Sequence, residues 1–227
     1  MVNRTNVFYD ATTCFQTDRV LEKMWSRIIL QAGENSVVDN AKLPHLDADK
    51  SVLLTSDVYK TLNLIADTTN TRGVEIPFLL FGDYEDRIFV FGDIEVDVSA
   101  SDNPYEVDFS HYLEQKILDF GLGAKKQENK VVVHGHSHPR VGPGYLNFSL
   151  GDMRAYFGIR KKTWLQNVMF CGCLLTGGNF NFVFCDGTDV YRIDNVFVGN
   201  ENGGFVKLPS FGPDVATLGR GRTGHGR

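Results

Sequence analysis

Val131-Val-Val-His134-Gly-His136-Ser-His138-Pro139 is the stretch on which the reading of this chain turns. Residues 130–133 read as a β-branched strand that runs into a histidine cluster. Three histidines, His134, His136 and His138, fall within five positions. The two-residue period of an extended chain aims all three to one side. Neutral imidazole is a common zinc ligand. Two imidazoles on one face with a carboxylate make a catalytic metal set that leaves the fourth position for water. A lone histidine here would read as a hydrogen-bonded strand end. An H-x-H flanked by small residues and followed by proline favours metal.

Ser149-Leu-Gly-Asp152 follows the cluster after a loop. Ser-x-x-Asp ahead of helical residues is a variant of the capping box, with Ser149 as N-cap and Asp152 at N3. A helix start fixes both side chains, as a ligand and an oxyanion donor require. Read together with His136 and His138, Asp152 is a third metal ligand and Ser149 its neighbour. Other H-x-H sites do not fit. The H-x-H-x-D-H pattern of metallo-β-lactamase-like hydrolases needs Asp at His138 and His at Pro139. A cupin needs a glutamate between Pro139 and Asp152, and a zinc deaminase needs H-x-E with a later C-x-x-C; neither occurs.

Outward from the motif, apolar spacing predicts a strand over 51–55, a helix from Ser56 to about Ala66, and a Thr-rich loop over 68–73. Strands over 74–81 and 87–98 and a helix over 107–120 follow. After the histidines come a short helix from Met153 to about Lys161 and strands over 166–176, 179–185 and 190–198. Residues 18–31 place Val20, Leu21, Met24, Trp25, Ile28 and Ile29 on a helical stripe. This amphipathic helix belongs to an N-terminal extension over 1–48, which ends in a polar connection. Its roles could be to complete the core, gate a cleft or bind a partner. The central domain spans 49–209, and a flexible Gly/Arg-rich tail spans 210–227.

Of 227 residues, 42% are hydrophobic and 22% charged, enough for a packed core. The net charge of −5 argues against a nucleic-acid partner. No apolar stretch approaches the ~20 residues that span a bilayer, and no apolar leader segment is evident, so the chain reads as soluble and cytoplasmic. Four cysteines are too few for a disulfide scaffold. Cys171 and Cys173 read as small buried residues sharing one strand face, with a metal or redox pair as the alternative.

His136-Ser137-His138-Pro139 followed by Ser149-x-x-Asp152 resembles the signature of the JAMM (MPN+) zinc metalloproteases. Glu75-Ile-Pro-Phe-Leu-Leu-Phe-Gly82 is similar to the family's upstream segment E-x-x-G-L-L-x-G. The similarity runs from Ser51 to about Val198. Phe78 stands where the family usually has glycine, and His134-Gly135 replaces an aromatic pair often found before the first ligand. The resemblance implies an α+β fold, an MPN/cytidine-deaminase-like mixed β-sheet flanked by helices. It implies Zn2+ held by His136, His138 and Asp152, with Glu75 as general base then acid and Ser149 as oxyanion donor. The implied substrate is the C-terminus of a ubiquitin-like protein or its isopeptide conjugates. A non-catalytic MPN-like scaffold and a zinc hydrolase of small amides are the alternatives.

Overall fold

A computed structural model of the protein describes residues 38, 40, 43–97, 110–124, 129–139, 146–160, 168–176, 178–185, 190–200 and 203–211. The predicted helix over 18–31 and the tail beyond 211 lie outside them. In chain order the elements are β1 (Ser51–Leu54), α1 (Ser56–Arg72), β2 (Pro77–Glu85), β3 (Ile88–Val96), α2 (His111–Gly123), β4 (Lys130–Ser137), α3 (Leu150–Arg160), β5 (Met169–Thr176), β6 (Asn179–Cys185), β7 (Val190–Ile193), β8 (Val196–Gly199) and β9 (Phe205–Lys207). No helix among the described residues is long and apolar enough to cross a membrane.

All nine strands join one mixed sheet in the order β7-β6-β5-β4-β2-β3-β1-β8-β9. β1 runs parallel to β3 and β8, and β4 runs parallel to β5. The central strands are buried on both faces, so they are apolar at successive positions rather than alternate ones. Val131 and Val133 join one core cluster while Val132 joins the other.

The sheet curls into a half-barrel. β3 and β6 are four places apart in the strand order, which in a flat sheet would separate them by about 19 Å. Yet the rings of Phe91 and Phe182 stack at 6.0 Å, and those of Phe89 and Phe184 lie 5.5 Å apart. The β2–β3 register shifts between Phe81 and Gly82, where Gly92 of β3 is the extra residue of a bulge that aids the bend. A Cβ on Gly82 would lie 1.9 Å from the Val90 carbonyl oxygen, so only glycine fits there.

This overturns the expected MPN/cytidine-deaminase-like α+β fold with a sheet flanked by helices. The sheet is mixed, but strand dominates the described residues and helices are few. The physical cause is the phenylalanines, which close the concave face against itself. α1 adds Val58, Leu62 and Ile65 to that concave cluster, while α2 and α3 pack Leu113, Ile117, Met153 and Tyr156 on the opposite side.

Two local differences from the sequence reading have tertiary causes. α1 continues through the predicted Thr-rich loop to Arg72. Thr68 and Thr71 donate their hydroxyls back to the carbonyls of Leu64 and Asp67, and Gly73 closes the helix in the left-handed conformation. The predicted polar connection contains buried Val38 and Leu43. Its Pro44 and Leu46 exchange backbone hydrogen bonds with Arg192, covering the β7 edge.

The docking of α3 depends on one small residue. Tyr156 is fully packed, and its ring lies over Gly172 of β5, where an added Cβ would meet Cε2 at 2.3 Å. Gly172→Ala is expected to destabilise the protein by about 1–3 kcal/mol, as overpacking does. The urea midpoint of unfolding measures this, and an unchanged midpoint would contradict the packing described.

Candidate metal centre

Three chain segments converge at one end of β4. The β2–β4 ladder pairs Pro77 with His136 and Phe78 with Gly135. Continuing that antiparallel register by two residues sets Glu75, just ahead of β2, opposite His138, just beyond β4. The Glu75 Oε1 to His138 Nε2 distance is 3.5 Å. His136 and His138 turn their Nε2 atoms to within 3.0 Å of each other. The His138 backbone N–H donates to the Leu175 carbonyl at 2.9 Å, which anchors the strand end to β5.

Asp152 arrives from the start of α3. Its backbone N–H donates to Ser149 Oγ at 3.0 Å, while its own Oδ2 accepts the Ser149 N–H at 2.6 Å. This is the reciprocal capping box that the sequence predicts. It leaves Oδ1 directed at His136 Nε2, 3.3 Å away. Ser149 Oγ accepts within the cap, so its hydroxyl proton is left to donate elsewhere. Tyr156, one turn further along α3, seats the helix through Gly172 and so sets the height of Asp152 above His136.

These separations suit a small cation. A tetrahedral ion about 2.0–2.1 Å from each donor spaces its donors about 3.3–3.4 Å apart. The neighbouring donor atoms stand at 3.0, 3.3 and 3.5 Å. The donor atoms of Glu75, His136 and His138 all lie within 4.8 Å of one another, and that tighter group does not include Asp152, which joins through His136. Two imidazoles and two carboxylates form a mixed N/O set, suited to zinc among other transition metals. All four side chains are largely buried, His136 most deeply at 4% exposed and Asp152 least at 17%.

The Glu75 carboxyl is pushed up to about 8 from its ordinary 4.5, first by burial and second by the negative charge of Asp152. In the metal-free protein the folded state therefore keeps a proton that the unfolded chain releases between these pH values. Stability falls as pH rises through that window. Glu75→Gln removes the titration. Its melting temperature, measured after chelation, should match the wild type near pH 5. It should exceed the wild type at pH 8 by at least about 2–4 °C, the equivalent of about 1 kcal/mol in a chain of this size. A difference that does not change with pH would contradict the burial of this carboxylate.

His134 lies apart from this group. Its ring meets Tyr156 edge-on at 5.5 Å, under α3. Cys171 and Cys173 are free and buried in the concave core, with Cys185 a third buried thiol in the opposite cluster. Sequence reasoning missed a complementary exchange across the ladder. Phe78 faces Gly135, and a Cβ on Gly135 would lie 2.2 Å from the Phe78 ring. A large residue immediately across from a glycine was the available signal. It also missed Thr69, whose hydroxyl meets that of Ser137 beneath the cluster. No family model and no curated protein matches the chain.

Proposed function

We propose that this chain is a zinc-dependent peptidase or isopeptidase that hydrolyses an amide bond, with ubiquitin-like proteins or their conjugates as the substrate class. The observation that carries it is the meeting of Glu75, His136, His138 and Asp152 from three separate segments, beside a serine with a hydroxyl proton to give. The resemblance of the H-S-H-P and S-x-x-D motifs to JAMM metalloproteases supports this reading through the site and not through the fold. Two of the departures from that signature, Phe78 and Gly135, exchange bulk across one register pair, so the ladder that carries the ligands is preserved.

His136, His138 and Asp152 would hold the ion. When bound, zinc supplies a Lewis acid and lowers the pKa of water at the site to about 7. Glu75 takes a proton from the attacking water and delivers it to the leaving amine. A carboxylate 3.5 Å from His138 Nε2 is placed for both directions of transfer. Ser149 donates its hydroxyl to the developing oxyanion. Burial of the cluster lowers the local dielectric, which strengthens both contributions. A cytoplasmic setting suits the buried thiols of Cys171 and Cys173, which form no disulfide.

Ser149→Ala tests the oxyanion role. It should retain zinc and lower kcat by about 10²–10³-fold, the scale of losing one oxyanion donor. The assay compares di-ubiquitin-type isopeptides with small amides under single-turnover conditions. Turnover of small amides alone would move the substrate class to a small-molecule amide. An unchanged kcat in Ser149→Ala would remove the serine from the mechanism.

A further inference from the structure

One buried hydroxyl grips both ends of the link that carries Glu75. Ser137 sits between the two histidines in sequence but faces the opposite side of the strand, as successive strand residues do. It is wholly buried. Its Oγ accepts the Ile76 N–H at 3.0 Å and is hydrogen-bonded to Thr69 Oγ1. Its backbone N–H donates to the Ile76 carbonyl at 3.1 Å. Thr69, in the last turn of α1, is 1% exposed. Residues 70–75 connect Thr69 to Ile76, turn at Gly73 and end at Glu75. A single side chain therefore closes this link from below, at the residue that separates the two imidazoles.

We propose that Ser137 and Thr69 are positioning residues for Glu75, holding its carboxylate in place over His138. The proposal rests on the reading of Glu75 as the proton carrier. A carboxylate in that role must stay within hydrogen-bond reach of the reacting atoms, and small displacements are costly. His136 and His138 are held independently, by β2 and β5. Loss of the Ser137 hydroxyl therefore leaves the metal ligands in place and frees the Glu75 link. A purely structural hydroxyl pair would affect unfolding and leave kcat untouched wherever the protein is folded.

The experiment compares wild type, Ser137→Ala, Thr69→Val, Thr69→Ser and Glu75→Gln on one amide substrate, well below the melting temperature. Zinc content and amide hydrogen exchange at Ile76 in the metal-free protein are measured in parallel. Ser137→Ala and Thr69→Val should lower kcat by about 10–100-fold with KM within about 3-fold and zinc unchanged. Thr69→Ser should restore kcat to within about 3-fold of wild type, because it keeps the hydroxyl. Exchange at Ile76 should quicken by about 10-fold or more in Ser137→Ala and Thr69→Val, and not at Val132. If Ser137→Ala does not fold, Thr69→Val carries the test. Wild-type kcat in the folded variants, with Glu75→Gln inactive, would overturn the positioning role and leave the proton carrier standing. Unchanged exchange at Ile76 would overturn it without any substrate. Full activity in Glu75→Gln would overturn the functional reading, and the positioning role would fall with it.

Discussion

Glu75→Gln is expected to leave zinc bound and to lower kcat by about 10²–10⁴-fold, the usual contribution of a general base. Glutamine keeps the size and the hydrogen-bonding reach of the side chain, so the cavity and its neighbours are undisturbed. What it loses is the ability to take and return a proton. Two features make the loss large. Glu75 Oε1 stands 3.5 Å from His138 Nε2, next to the atoms that would hold the ion. Its carboxyl is largely buried, so bulk water does not replace it as a proton carrier. Single-turnover kinetics at pH 7–8, with zinc measured on the same samples, separates a chemical defect from a lost metal. A kcat within about 3-fold of wild type would show that Glu75 is not the proton carrier.

Zinc should stabilise the folded protein strongly, and removal of His136 should abolish the effect. Without a cation, two carboxylates and two imidazoles share one buried corner, and Asp152 already disfavours the charged form of Glu75. A cation relieves that repulsion in the folded state only. At free zinc about 1,000 times the dissociation constant, linkage gives about 4 kcal/mol. For a chain of this size that is a rise in melting temperature of about 8–16 °C. His136 is the partner common to His138 and Asp152, so His136→Ala should show no zinc-dependent rise. Magnesium, which takes oxygen ligands in octahedral geometry, should shift the wild type little. Equal shifts in wild type and His136→Ala would place the stabilising ion elsewhere.

The site was more legible in the sequence than the fold, for physical reasons. H-x-H on a strand and a capping box at a helix start are local patterns. Each fixes its side chains through its own backbone, so residue spacing alone foretold that His136 and His138 meet and that Ser149 and Asp152 cap α3. The placement of Glu75 needed the β2–β4 register, which no local pattern states. The curl of the sheet was hidden because it is made by Phe89 and Phe91 meeting Phe182 and Phe184, residues far apart in the chain and not paired in the sheet. The full length of α1 was hidden because threonine disfavours helix, while Thr69 gains a buried partner in Ser137 that only the tertiary structure supplies. The predicted strand over 190–198 divides at Asp194-Asn195 into β7 and β8, which lie towards opposite edges of the sheet.

The corner formed by Glu75, His136, His138 and Asp152 is proposed as a metal centre. Zinc per chain, measured by elemental analysis on purified wild type and His138→Ala side by side, decides whether it is one. About one zinc in the wild type and none in the variant is the result expected of a single site with three protein ligands. No zinc in the wild type, even after incubation with zinc and removal of the excess, would contradict it and leave the two histidines with a structural role.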